Sequence, residues 1–177
     1  MFVGSKSGFA SDISLVAVGI TTIESEGYKN SITGLKGRYG FKKGKGQILA
    51  SIGYRSDSTE SSGKTENSDT SIGIGYNRFY SKYSPEIQPY LTTGLEYRMG
   101  SQSGVSESSN SGVFYHVGVG IRFALGRSFF FNLESLFFEN ALISTTKTGD
   151  EESSVTTIGV NSEGDLSSLK VGLGMIL

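Results

Sequence analysis

Apolar side chains recur along this chain at every second position and hardly anywhere at helical spacing. The clearest run is Val113, Tyr115, Val117, Val119, Ile121 and Phe123, with Phe114, His116, Gly118, Gly120 and Arg122 between them. The end of the chain repeats it: Leu169, Val171, Leu173, Met175 and Leu177 alternate with Lys170, Gly172, Gly174 and Ile176. Similar alternation marks Leu35 to Phe41, Ile48 to Tyr54, Ile72 to Tyr76 and Leu91 to Met99. Successive side chains of a strand point to opposite faces, so each run predicts a strand with one apolar and one polar face. At roughly 9–14 residues these strands are long for a soluble sheet and match a tilted membrane crossing.

The connections alternate in length. Short, punctuated ones fall at 42–46 (KKGKG), 81–88 (SKYSPEIQ) and 125–128 (LGRS). Long ones at 56–69, 100–111 and 144–164 are rich in Ser, Glu, Asn and Gly and read as solvated loops. In a meander successive connections lie at opposite ends, so turns gather at one end and loops at the other, the pattern of outer-membrane barrels. The first strand has two readings. One starts at Phe2 and leaves a long first loop; the other starts near Asp12 and leaves a short loop over 26–30. The Phe2 start is preferred, and both give eight strands. The predicted fold is all-β, an eight-stranded antiparallel up-and-down transmembrane β-barrel, one domain over residues 1–177.

A soluble, lipocalin-like barrel also alternates, with its apolar face inside, so the orientation needs separate arguments. Glycine occurs 25 times in 177 residues, about twice the usual share of ~7%. Much of it lies on the polar face: Gly34, Gly40, Gly53, Gly73, Gly75, Gly94, Gly118, Gly120, Gly172 and Gly174. Glycine weakens a solvent-facing strand, whereas a narrow lumen needs small residues beside long ones. The polar face is therefore expected to look inward. Aromatic residues support this. Tyr39, Phe41, Phe79, Tyr80, Tyr83, Tyr90, Phe123, Phe129 and Phe131 lie near the short-turn end, and Tyr54, Tyr97, Tyr115 and Phe137 near the long-loop end. At about 3.3 Å per residue and a tilt near 40°, the two groups stand roughly 20 Å apart, as two girdles around a lipid-facing band would.

Composition narrows the rest. The formal charge of −1 argues against a nucleic-acid partner. The absence of cysteine excludes disulfides and thiolate metal sites. No run of eighteen apolar residues predicts a membrane helix, and no signal peptide is visible.

With the polar face inward, the lumen receives the cations Lys36, Arg38, Arg55, Arg98, Arg122 and Lys170, the anions Glu96 and Glu134, and His116. Position along adjacent strands suggests two pairings, Glu134 with Lys170, and Glu96 with His116 or Arg98. Eight strands leave an interior just wide enough for side chains to fill. The expectation is a sealed, charge-laced plug. The inner cation excess is expected to bind anions or to be balanced by Asp150, Glu151 and Glu152 folding back from a loop.

The last eight residues, Lys170-Val-Gly-Leu-Gly-Met-Ile-Leu177, resemble the terminal signal that barrel-assembly machinery recognises. Lys170, Gly172, Met175 and Leu177 fill its places, and Leu177 departs from the usual terminal Phe. Together with Gln88-Pro-Tyr-Leu-Thr-Thr-Gly-Leu-Glu-Tyr97, the chain resembles the outer-membrane β-barrel family of OmpA-, OmpX- and OmpW-like domains over nearly its whole length. That resemblance implies a bacterial outer-membrane location, a lipid and lipopolysaccharide environment, and assembly by the barrel machinery. It also implies a charge network in the lumen, in some relatives proposed as a gate. No large periplasmic domain follows Leu177, so an OmpA-type peptidoglycan anchor is not expected.

Enzymatic readings fare poorly. The single histidine, His116, is expected in the lumen. In lipid A deacylase-like barrels a catalytic serine follows two residues after the histidine, where this chain has Gly118. The Gly73-x-Gly75-x and Gly118-x-Gly120 runs lie inside strands, with no helix start to receive a phosphate. No metal-ligand cluster or cofactor motif appears; Asp150-Glu151-Glu152 reads as a solvated loop. The expected role is structural or surface-interacting, with the long loops offered to an extracellular partner. The alternatives are a narrow porin-like conduit for small or hydrophobic solutes and, behind it, the soluble binder.

Overall fold

A computed structural model describes residues 10–25, 28–60, 64–80, 86–104, 107–148, 151–156 and 169–177. Among them the chain forms β1 (Ala10–Ser25), β2 (Tyr28–Lys43), β3 (Gly46–Glu60), β4 (Lys64–Phe79) and β5 (Ile87–Ser103). It continues with β6 (Ser108–Leu125), β7 (Phe129–Thr148), β8 (Glu151–Thr156) and β9 (Leu169–Ile176). Consecutive strands from β1 to β8 pair antiparallel, and β9 pairs with both β1 and β7, closing the sheet. Because β7 pairs with β9 through Phe129–Ser135 and with β8 through Ile143–Thr148, β8 and β9 are two pieces of one stave. The ring has eight antiparallel staves. Closure gives every stave two neighbours, the arrangement that satisfies backbone groups in lipid.

Glycine sets the tight turns. The β2–β3 hairpin closes with Lys43 opposite Gly46, and Gly44 takes φ of 59° in its first central position, as a type II′ turn requires. Gly126, with φ of 83°, opens the turn between β6 and β7.

The polar face is the inside. Among the described residues six hydrophobic side chains are buried against fourteen polar or charged ones, while Ile48, Ile52, Ile72, Ile74 and Leu173 are each at least 60% exposed. This inverts the soluble arrangement and removes the lipocalin-like reading. Tyr39, Phe41, Tyr80 and Phe129 are exposed near the short turns, and Tyr54, Tyr97 and Phe137 near the other end. Phe79 and Tyr90 do not join the girdle, contrary to expectation. They are 4% and 2% exposed, point inward, and pack on each other with centroids 5.2 Å apart. Tyr83 lies outside the described residues.

Two further expectations change. The preferred first strand from Phe2 falls on residues outside the description, and the structure takes the alternative, with β1 running Ala10–Ser25 to a short link before Tyr28. The described residues of the segments read as long loops, 56–69, 100–111 and 144–164, are largely strand: β3 reaches Glu60, β4 begins at Lys64, and β7 reaches Thr148. Hairpin pairing continues after apolar alternation ends, because ladder hydrogen bonds between aligned backbones do not depend on an apolar face. From Tyr54 to Glu60 the wall rises about 15 Å above the upper girdle, at ~3.3 Å per residue and a tilt near 40°.

Candidate functional site

The ring directs three tiers of polar side chains into its lumen. In the lowest, Arg122 on β6 donates to Asp12 on β1 (2.9 Å), to Asn132 on β7 (3.1 Å) and to Gln47 on β3 (3.3 Å). Gln47 in turn donates to Asp12 at 2.6 Å and accepts from Asn77. The Arg122 guanidinium lies 4.0 Å from the Phe130 centroid and 5.0 Å from that of Phe79. A cation between two rings gains electrostatic attraction where water is scarce.

The middle tier is a two-pronged pair. Arg38 on β2 donates both terminal nitrogens to the two oxygens of Glu134 on β7, each at 2.8 Å. Tyr90 on β5 adds a hydroxyl donor to Glu134 at 3.2 Å. Gly120 and Gly174 make room here: a Cβ at either would run into the Tyr90 or the Phe130 ring respectively.

In the upper tier Lys36 on β2 pairs with Glu96 on β5, which also accepts from Arg98 at 3.2 Å. Arg98 reaches Glu139 on β7 with two bonds of 2.7 and 2.8 Å. In ring order Arg38 and Glu134 sit three staves apart, as do Lys36 and Glu96, and Arg122 and Asp12. These pairs are chords across the lumen rather than contacts along one wall.

The structure therefore brings together Lys36, Arg38, Glu96, Arg98 and Glu134, and places Arg122 in its own cluster below them. Glu96 does pair with Arg98. The suggested Glu134–Lys170 pair is not formed. The two residues are opposite one another in the ladder, yet both Glu134 oxygens go to Arg38, whose planar fork matches a carboxylate better than an ammonium does. His116 makes no ion pair with Glu96; it faces Gly94 across the β5–β6 ladder. Arg55 is not in the lumen network: its side chain is 44% exposed, 3.8 Å from Asp57, where β3 has passed the upper girdle.

Asp12, Tyr90 and Glu139 were not assigned to the lumen from sequence. Asp12 was hidden by the ambiguous first strand. Glu139 was hidden by a register shift in β7, where Gly118 pairs with Leu136 but Val117 pairs with Phe138. This bulge at Phe137 inverts the parity of β7 as far as a second shift at Leu142, so Glu139, opposite His116, faces inward. Asp12 and Glu139 add two carboxylates to the lumen and narrow its excess of cations. Of the loop expected to fold back, Asp150 lies outside the described residues, as do the side chains of Glu151 and Glu152. No group of three His, Asp or Glu side chains that could hold a metal is found among the described residues.

An apolar exterior, a closed eight-stave ring and an ion-paired interior define a transmembrane β-barrel. The chain belongs to the outer membrane protein β-barrel domain family, whose model matches residues 4–174. It is a protein of the bacterial outer membrane. Two solved structures of low identity share the fold. One is a major outer membrane protein from Thermus thermophilus (TM-score 0.56, 9% identity, 96% of this chain and 99% of that one). The other is Neisserial surface protein A (TM-score 0.55, 16% identity, 96% and 97%). No curated protein sequence gives a significant match.

Proposed function

We propose that this protein is a non-enzymatic structural or surface-interaction barrel whose lumen is closed by its own side chains. The observation that carries this reading is the set of ion pairs spanning the ring between non-adjacent staves, Arg38–Glu134 above all, with both partners under 10% exposed. Each pair blocks the path a solute would take, and breaking one leaves a buried charge, which is costly. The polar walls above the upper girdle are the surface available to an extracellular partner, and lipopolysaccharide is the lipid that surrounds them. Lys170 and Gly172 face inward while Met175 and Leu177 are exposed to lipid, an arrangement that suits reading of the terminal segment by the assembly machinery.

The test is single-channel recording of the refolded protein in planar bilayers, with heat-modifiable gel migration as the folding control. A folded barrel with no steady current supports the closed reading. Defined current that grows when Glu134 or Arg38 is removed would instead establish the porin-like alternative, with the ion pairs as its constriction.

A further inference from the structure

One row of the sheet changes character from end to end. Lys43 stands opposite Gly46, Gly46 opposite Arg78, and Arg78 opposite Leu91. The same row continues from Leu91 to Val119, Ser135 and Leu169. Directly paired residues share a face of the sheet. Leu91, Val119 and Leu169 are exposed on the lipid side, so the whole row looks outward. Lys43 is the last residue of β2, at the short-turn end, whereas Leu169 is at the opposite end of β9. The row therefore climbs from the membrane rim into the apolar band, as the tilt of the staves requires.

The two ends suit the two parts of a lipid. At the rim, Lys43 and Arg78 are exposed with one glycine between them. Tyr76 leans over that glycine: a Cβ at Gly46 would stand 2.7 Å from its hydroxyl. Two cations and a hydroxyl donor thus share a strip of outer wall two stave spacings wide, about 10 Å. Residues 81–85, which follow, add Lys82 and no carboxylate. Farther along the row, Tyr80, Leu91, Val119, Ile121, Ser135 and Leu169 line a hollow of about 430 Å³, within the size range of small-molecule sites. Ser135 sets its depth, since a short side chain stands there between Val119 and Leu169. Tyr80, two residues beyond Arg78 and also exposed, joins the hollow to the rim cluster.

We propose that this row holds one anionic glycerophospholipid of the periplasmic leaflet, its phosphate against Lys43, Arg78 and the Tyr76 hydroxyl and an acyl chain in the hollow. Short turns lie on the periplasmic side of outer-membrane barrels, which assigns the leaflet. Water does not fill an apolar hollow, because it finds too few polar partners there, so a hydrocarbon chain occupies it. Any lipid supplies such a chain, and the cations select among them. A zwitterionic headgroup brings its own positive charge to the rim, whereas an anionic one is attracted without that penalty. Guanidinium and ammonium both make charge-assisted bonds to phosphate. The inference is independent of whether the lumen conducts, because the row lies on the outer wall.

The test refolds the full chain from urea into a neutral detergent. It is titrated with phosphatidylglycerol and with phosphatidylcholine of the same acyl chains, and retained lipid is counted by native mass spectrometry. Gel migration shows that each variant is folded. One phosphatidylglycerol per barrel should be retained, at least tenfold more tightly than phosphatidylcholine. Arg78→Gln should weaken it about fivefold, the equivalent of the ~1 kcal/mol a basic residue contributes at an anionic lipid surface, and should leave phosphatidylcholine unchanged. Arg127→Gln removes an exposed cation at another turn and should change neither lipid. Ser135→Leu fills the hollow with a side chain that suits the bilayer and should weaken both. The proposal is overturned if the two lipids are retained equally, if Arg127→Gln acts as Arg78→Gln does, or if Ser135→Leu leaves retention unchanged. It is overturned equally if lipopolysaccharide displaces phosphatidylglycerol at equal concentration, or if the occupant is a second barrel, seen as a dimer that Ser135→Leu dissolves.

Discussion

Replacing Glu134 with Gln leaves the Arg38 guanidinium buried with a neutral partner where it had two charged hydrogen bonds of 2.8 Å. Arg38 and Glu134 are 8% and 2% exposed, so solvent cannot take over. Removing one member of a buried pair costs about 3–5 kcal/mol. The remaining amide oxygen can keep one bond, so the Gln variant should fall near the lower end and Glu134→Ala near the upper. Arg38→Met should cost a similar amount by stranding the carboxylate, which keeps only the 3.2 Å bond from Tyr90. The double variant Arg38→Met with Glu134→Leu leaves neither charge and should recover most of the loss. The coupling energy, the two single losses together less that of the double variant, is then at least about 4 kcal/mol, and a cycle on Glu134 and Lys170 should give under about 1 kcal/mol, since those two form no ion pair. Equilibrium urea unfolding in lipid vesicles, followed by tyrosine fluorescence and gel mobility, reads each term. Additive Arg38 and Glu134 effects, or stronger coupling of Glu134 to Lys170, would refute the pairing and with it the argument that a planar fork wins the carboxylate.

Other consequences follow from the same geometry. Gly120→Val places methyl groups in the Tyr90 ring and should destabilise by about 1–3 kcal/mol through overpacking; Tyr90→Ala in the same chain should relieve part of it, which urea unfolding would show. Spin labels at Ile74 and Leu173, 64% and 60% exposed, should be relaxed by lipid-dissolved oxygen, whereas one at Thr92, 2% exposed, should not; the reverse pattern would undo the inside-out assignment. Hydrogen exchange checks the wall above the girdle: amides of Asp57 and Ser58, whose residues have partners on β2 and β4, should exchange at least tenfold more slowly than an unstructured peptide. Free exchange there would restore the loop reading of 56–69.

Strand parity was legible because the bilayer imposes it. A lipid-facing position must be apolar, so Val113 to Phe123 and Leu169 to Leu177 show their outward faces residue by residue, and the glycines between them mark a crowded interior. Where that demand ends, the signal ends. Ser56–Glu60 and Ser144–Thr148 are strand with no apolar face to announce it, and they read as loop. Phe79 and Tyr90 misled for a related reason: an aromatic residue near a strand end suits a girdle as well as the closed end of a lumen. In this ring Gly120 opens the space that lets Tyr90 turn inward.

By itself the sequence determined the class of fold, the inward direction of Lys36, Arg38, Glu96, Arg98, His116, Arg122, Glu134 and Lys170, and the membrane as surroundings. These follow from a period of two, a local property of each strand. Which charge meets which was decided by tertiary structure alone. Partners in the lumen are set by closure of the ring, which carries Arg38 across to Glu134 past the ladder neighbour Lys170. They are set also by a one-residue bulge at Phe137, which brings Glu139 inside. Neither has a local signature, because a chord across a closed ring joins residues whose separation along the chain has no fixed period.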